Sequence, residues 1–545
     1  MNQLLRILML SLISGCKANT NTLQDQQMVY GFDTIKPSAN LTWTPCFDDF
    51  TCSKLEVPLD YANKSLGTTS IAYMKLAGKN ATADSPSIVL IPGGPGGSGI
   101  DLLLTYAPLL GRMLGEEYNF ISYDPRGVNN SGLVLDCFQN NTDARAAFTR
   151  LHRTGVTNIN ISSTSLAEQF YSASIYGEWC TDAVDNGGNP YGYYVTTPAA
   201  AHDLLSFIEA EARLAGRQSA KAKLWAYGVS YGTVVGSTFA AMFPGRVGRM
   251  VLDGVLDAEM YYGNEWGDFL EQADEAMGEF VRLCYAAGPE KCAFWGPSMA
   301  DITDRLDGII RQLQDHPVPV SMVGSRGNLP TLVTYSDLKA LFLTTLYNPL
   351  STFPAMADTL HELERGNASS LAGAFAASDS ISDSRLAILC ADSYRRNTLT
   401  TLEEFKGYAE YTRSKSWYVG DMYPIYIENI LCRAVRMDLP DSLVVQVSVA
   451  GPISALDRPT SFPILFTSNT IDPITPLKSA RKMSTRFPGS IVLLQEAVGH
   501  TVVQNRASDC YWGHVRAYLH GVIPAANVTC STQFVPFVDA PVGSA

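Results

Sequence analysis

Between residues 87 and 252 the chain alternates short, continuous apolar runs with longer stretches in which apolar residues recur every three or four positions. The runs are Ser87–Ile91, Tyr118–Tyr123, Leu224–Tyr227 and Arg249–Leu252. Four to six residues without a polar face suit a strand buried on both sides. The periodic stretches are 100–116, 199–214 and 231–243. In the second, Leu204, Leu205, Ile208 and Ala212 fall on one face, as a helix packed on a sheet requires. Strand, turn and helix in repetition predict a doubly wound, mostly parallel α/β sheet. Two alternating stretches, Leu41–Tyr61 and Thr68–Gly78, precede it and read as a hairpin or meander.

After Leu252 the rhythm stops. From Asp257 to Pro452 the sequence is mostly helical in period and rich in aromatics, with almost no buried-strand run. The strand pattern returns at Phe462–Thr467, followed by a helix over 476–487, a strand over 490–495 and a last helix ending near Tyr518. A chain of 545 residues exceeds what one hydrophobic core usually serves, so two domains, or one domain carrying a large insertion, are expected, and this break in rhythm reads as the insertion. The expected division is 1–18 as a signal peptide, 19–256 as the first part of the α/β core, 257–452 as a helical insertion and 453–545 as the rest of the core.

Composition narrows the partners. A net charge of −13 and no long basic run argue against nucleic acid. Arg6, the apolar run Ile7–Ile13 and the small residues after it read as a secretory signal, too short to span a bilayer. Cys16 offers a competing reading as a bacterial lipoprotein signal. Sequons at Asn40, Asn63, Asn80, Asn129, Asn140, Asn160, Asn367 and Asn527 fit a eukaryotic secretory route better. No later segment is long and apolar enough for a membrane helix, so a secreted protein without stable membrane insertion is expected. Of eleven cysteines, loss of Cys16 with the signal leaves an even number. In an exported chain these read as disulfides: Cys46 with Cys52, Cys284 with Cys292, Cys510 with Cys530, and by a looser reading Cys137 with Cys180 and Cys390 with Cys432. Sequence alone leaves their connectivity open. No C-x-x-C or H-E-x-x-H spacing points to a metal, and neither metal nor cofactor is expected.

The candidate chemistry centres on Gly228-Val229-Ser230-Tyr231-Gly232, between a strand and a helix. A turn sharp enough to expose one hydroxyl needs small residues two before and two after the serine. A nucleophilic serine needs a base and a group that orients it. His500, in a glycine-flanked loop after a strand, is the candidate base among seven histidines. Asp472, in the turn Thr470-Ile471-Asp472-Pro473, is the candidate acid; Asp253, at the end of the strand after the elbow helix, is its rival. Backbone N–H groups of Tyr231 and Gly94 are the expected oxyanion donors. The loop Gly94-Pro95-Gly96-Gly97-Ser98-Gly99 also matches G-x-G-x-x-G, with Asp124 ending the next strand, which imitates a dinucleotide fingerprint. Pro95 removes an N–H from that turn, and two strands precede the motif, so the hydrolase reading is preferred.

With these residues assembled, the chain resembles the secreted tripeptidyl aminopeptidase-like branch of the prolyl aminopeptidase family of serine hydrolases. The resemblance rests on IPGGPGGSG, YDPRGVNNSG, GVSYGT, FPGRVGRMVLDGV, AILCADS, NTIDPITPL and GHT, and runs over nearly the whole mature chain. Pro92 stands where prolyl aminopeptidases carry the histidine of HGGPG, which looks more like the tripeptidyl branch. The resemblance implies an α/β-hydrolase core under a helical cap, an acyl-enzyme on Ser230 with Asp472 and His500, and release of short peptides or single residues from free N-termini. A negative group should hold the substrate's ammonium, with Glu265 and Asp392 of the cap as candidates. An esterase or other acyl hydrolase acting on a small-molecule ester or specialised metabolite is the alternative.

Overall fold

The computed structural model describes residues 28–539 except 159, 322–329, 373–380, 397 and 446–458. The expected signal peptide and the boundary expected at 452 lie outside the described residues. Among the described residues the strands are β1 (Thr44–Cys46), β2 (Phe50–Pro58), β3 (Thr68–Leu76), β4 (Ser87–Ile91), β5 (Asn119–Tyr123), β6 (Leu224–Val229), β7 (Val247–Asp253), β8 (Val318–Val320), β9 (Thr331–Val333), β10 (Leu465–Ile471), β11 (Ile491–Val498) and β12 (Thr529–Cys530). Ten of them form one sheet in the order β1-β2-β3-β5-β4-β6-β7-β10-β11-β12. The pairs among β1, β2, β3 and β5 that adjoin are antiparallel; every pair from β5–β4 through β11–β12 is parallel. This is the doubly wound sheet that the apolar runs predict, with the early hairpin added at one edge.

Side-chain alternation along β4 divides the core between the two faces. Ile88 and Leu90 pack with Ile100 and Leu103 of helix α1 (Gly99–Tyr106) and with Tyr511 and Val515 of helix 509–519. Val89 and Ile91 join the cluster that holds Leu204 and Phe207 of α5 (Thr197–Leu214) and Val234 and Val235 of α6 (Tyr231–Met242). These four β4 side chains are buried, each contributing about 1.5–3 kcal/mol. The helix expected over 100–116 is broken: α1 ends at Tyr106, and α2 spans Leu110–Leu114. Pro108 lies between them, where it can neither donate the next helical bond nor avoid the preceding carbonyl.

Residues 258–433 supply a helical layer whose core is continuous with the α5–α6 side of the sheet, through Tyr261, Phe280, Leu306 and Phe342 among others. It also contains the short antiparallel pair β8–β9, where buried strand runs were not expected. Two helices that precede the nucleophile in sequence, α3 (Thr142–His152) and α4 (Ser165–Asp185), pack into this layer. Arg433 donates to the carbonyl of Phe170 at 2.7 Å, and the backbone N–H of Cys137 donates to Asp383 at 2.8 Å. Disulfides join Cys46–Cys52, Cys137–Cys180, Cys284–Cys292, Cys390–Cys432 and Cys510–Cys530. All eight sequon asparagines have exposed side chains.

Candidate active site

Strand β6 delivers Ser230 to α6 through a turn that leaves it at φ 55°, ψ −123°. A non-glycine residue there carries roughly 1–3 kcal/mol of strain, which the flanking packing must hold. A Cβ at Gly228 would lie 2.7 Å from the carbonyl oxygen of Gly232, and one at Gly232 would lie 2.4 Å from that of Ile91. The two glycines of the motif are therefore steric requirements of the elbow. The N–H of Ser230 donates to the carbonyl of Asp253 at 2.9 Å, fixing the turn to the end of β7. Tyr231 opens α6, so its N–H belongs to the first turn, whose donors have no intrahelical acceptor.

The glycine-rich loop after β4 runs over this elbow. A Cβ on Gly93 would stand 3.1 Å from that of Ser230 and 3.6 Å from its Oγ, and Gly94 has φ +117°. Ser98 caps α1 by accepting from Asp101 N–H at 3.1 Å, and its hydroxyl donates to Asp124 at 2.6 Å. Asp124 also accepts from the N–H and side-chain amide of Asn130, at 3.1 and 2.8 Å. Burial raises its carboxyl above the ordinary range, against those hydrogen bonds. This carboxylate, the acid of the dinucleotide-like pattern, spends both oxygens on protein donors that tie two loops together.

His500 follows β11, and Asp472 follows β10. The ring Nδ1 lies 3.2 Å from each oxygen of Asp472. Asp472 further accepts from the N–H groups of Ile474, Thr475 and Thr501 at 3.0, 2.8 and 3.1 Å, and from the Thr475 hydroxyl at 2.8 Å. That hydroxyl is also 3.2 Å from Nδ1 of His500. Nε2 of His500 is buried and has no hydrogen-bond partner among the described residues. The His500 ring stands edge-on to Tyr347 at 5.3 Å, and its backbone N–H donates to the Tyr347 carbonyl at 3.0 Å. Thr475, three residues after Asp472, was not singled out from sequence, although a threonine so placed beside an aspartate is a local turn signal.

Asp253 is fully buried. Its carboxylate accepts from the N–H groups of Val502 and Val503 at 2.8 and 3.0 Å and from the Tyr227 hydroxyl at 2.9 Å. Burial pushes its carboxyl upward, and these bonds oppose the shift. The rival acid thus holds the backbone of the loop that carries His500, while Asp472 meets the imidazole.

Ser230, Gly93, Gly94, Thr475 and His500 line one cavity of about 450 Å³, roofed by Trp266, Tyr347, Leu389, Tyr423 and Tyr426 of the helical layer. Among its lining residues Asp101 is the carboxylate and Arg385 the guanidinium. Neither Glu265 nor Asp392 lines it. Glu265 borders a second cavity of about 430 Å³, on the other side of Trp266. Asp392 is buried: it accepts from Thr197 N–H at 2.7 Å, from the Thr197 hydroxyl at 2.5 Å and from Tyr261 at 2.9 Å. The Thr197 hydroxyl in turn lies 2.6 Å from that of Tyr231, so Asp392 is connected to the residue after the candidate nucleophile. Burial raises the Asp392 carboxyl to about 7. Cys510 and Cys530 lie beside His514, but their disulfide removes the thiolates that a metal would need.

A family described as alpha/beta hydrolase fold matches residues 86–291, and one described as TAP-like protein matches residues 433–530. The chain has an α/β-hydrolase fold. Curated relatives match it over nearly their full length. It is 27% identical over 526 residues to the serine protease Hip1 of Mycobacterium tuberculosis, covering 90% of each chain. It is 23% identical over 539 residues to a tripeptidyl aminopeptidase of Streptomyces lividans, covering 91% of this chain and 88% of that one. A proline iminopeptidase structure from Mycobacterium smegmatis aligns at 13% identity and a TM-score of 0.33, over 86% of this chain and 98% of that one. The chain is a serine hydrolase. Among its described residues, no helix is long and apolar enough to cross a membrane.

Proposed function

We propose that the protein is an exported serine aminopeptidase that releases short peptides or single residues from free N-termini. The observation that carries this reading is the meeting, in one roofed cavity, of a serine on a strained elbow and a histidine braced by a buried aspartate. In the proposed reaction Ser230 Oγ attacks the scissile carbonyl and His500 Nε2 takes its proton. Asp472 keeps the other ring nitrogen protonated and stabilises the imidazolium. The N–H groups of Gly94 and Tyr231 receive the oxyanion. The amine leaves with the proton from His500, and water then hydrolyses the acyl-enzyme by the same relay. Asp101, at the cavity mouth, takes the role of ammonium partner that Glu265 and Asp392 are not placed to fill. Names of the curated relatives support peptide substrates, and the disulfides and exposed sequons support export.

A fluorophosphonate probe should label the wild type and not Ser230→Ala; no labelling of either removes the catalytic reading. Ala-Ala-Pro and Pro arylamides, each free and N-acetylated, should then be compared with p-nitrophenyl esters. Preference for free amines supports the aminopeptidase. Cleavage indifferent to acetylation, with faster ester turnover, replaces it by the acyl-hydrolase alternative.

A further inference from the structure

Glu428 sits in the left-handed region at φ 57°, and its side chain is 2% exposed. Two guanidinium groups converge on its one carboxylate. Arg153 donates to Oε1 through Nε and Nη2 at 3.2 and 2.8 Å, and Arg385 reaches Oε2 with Nη2 at 3.3 Å. Arg385 is the member of the trio that lines the cavity over Ser230.

The Arg385 side chain is held without being used up. Its Nη2 also donates to the carbonyls of Tyr426 and Ile427, both at 2.8 Å, which anchors one corner of the fork. Its Nε and Nη1 have no protein acceptor among the described residues. Its backbone is pressed against the glycine loop: a Cβ on Gly96 would lie 2.7 Å from the Arg385 nitrogen. An oriented guanidinium edge with free donors, on the wall of a cavity that contains a candidate nucleophile, suits a planar anion held by two hydrogen bonds.

We propose that Arg385 is a specificity-determining residue that binds a carboxylate of the substrate. The assignment rests on the reading of this cavity as the substrate site. With Asp101 as the opposite charge in the lining, the favoured substrate is short and carries an ammonium and a carboxylate within one cavity's reach. The carboxylate has two sources, the free C-terminus of a short peptide or an acidic side chain.

Binding to the Ser230→Ala protein, measured by calorimetry, separates this from catalysis. Two pairs serve as probes: Ala-Ala-Pro-Ala as free acid and as C-terminal amide, and Ala-Glu-Pro-Ala amide with Ala-Gln-Pro-Ala amide. At least one pair should show the acid binding tenfold tighter or more than its neutral partner, and the pair that does so identifies the source. Adding Arg385→Gln should collapse the gap, and Arg385→Lys should recover part of it. Because Arg385→Gln also disturbs Glu428, each variant is checked for the wild-type circular dichroism spectrum. The acid-to-neutral gap in the unsubstituted Ser230→Ala background stands as a test even where a variant misfolds. No gap in either pair, or a gap that survives both substitutions in folded protein, overturns the proposal. A gap that collapses in Arg385→Gln, in a protein whose wild type cleaves none of the peptides, sinks the aminopeptidase reading and leaves Arg385 as a carboxylate binder.

Discussion

Asp253 and Asp472 both lie at the end of a parallel strand near the elbow, and their substitution by asparagine should differ sharply in its effect on turnover. In Asp253→Asn one carboxylate oxygen becomes an amide NH₂ facing a backbone donor, Val502 or Val503, now 2.8 or 3.0 Å from an acceptor. One buried N–H is then orphaned, at a cost of roughly 1–3 kcal/mol. The loss falls on the folded state as a whole, because these N–H groups belong to the loop after His500 rather than to the reacting atoms. The thermal midpoint should drop by several degrees, while kcat/KM of the folded protein at 25 °C stays within about tenfold of wild type. In Asp472→Asn a buried N–H is orphaned as well, since Ile474 and Thr475 donate to one oxygen and Thr501 to the other, so the midpoint should also fall; but here the imidazole loses the partner that sets its tautomer, and kcat of the folded protein should fall by about 10⁴, the size of effect known for an orienting acid. The assay is differential scanning fluorimetry beside arylamide or ester turnover, with fluorophosphonate labelling to count competent sites. If Asp253→Asn abolished turnover at an unchanged midpoint, or Asp472→Asn left it intact, the assignment of the two acids would be wrong.

Three further outcomes follow from the geometry. Asp392 titrates near 7 when folded against an ordinary 3.8, so the unfolded chain releases its proton first as pH rises. Wild type should therefore lose stability relative to Asp392→Asn between about pH 4 and pH 7, by on the order of 4 kcal/mol, and a flat difference across that window contradicts the buried carboxyl. Thr475→Val removes the hydroxyl shared by Asp472 and His500 and should lower kcat about tenfold, the worth of one such hydrogen bond near 1.4 kcal/mol; unchanged pre-steady-state acylation would show that the hydroxyl is idle. Gly96→Ala places a Cβ 2.7 Å from the Arg385 nitrogen at φ +85°. The left-handed backbone alone costs roughly 1–2 kcal/mol, so the midpoint should fall and labelling of Ser230 should slow; a variant as stable and as reactive as wild type would refute the close packing of loop and helix.

The sheet was readable because a strand buried on both faces leaves a polar-free run, as in β4, and because the elbow's glycines are a steric demand that shows as composition. Helices α3 and α4 left a weaker trace: their buried faces include Ser165, Gln169, Ser172 and His152, polar groups that each make a hydrogen bond in the interior, so the apolar stripe is interrupted. The roles of Asp253 and Asp392 were out of reach. Position along the chain tells that a carboxylate ends a strand, and not whether it meets an imidazole or a pair of backbone N–H groups. Arg385 and Asp101 are ordinary residues of amphipathic helices until the glycine loop and the helical layer are folded against each other.

The path Asp392–Thr197–Tyr231 bears on anyone who would exchange the roof of this enzyme for that of a relative. Its acceptor and Tyr261 come from the region after β7; Thr197 and Tyr231 come from the region before it. A chimera cut at residues 257 and 452 would separate them, importing a foreign side chain above Tyr231 and stranding the Thr197 backbone donor. A graft that carries residues 142–197 along with the roof keeps Asp392, Thr197 and Tyr261 from one parent and leaves a single hydroxyl contact to be matched, the one that Tyr231 supplies.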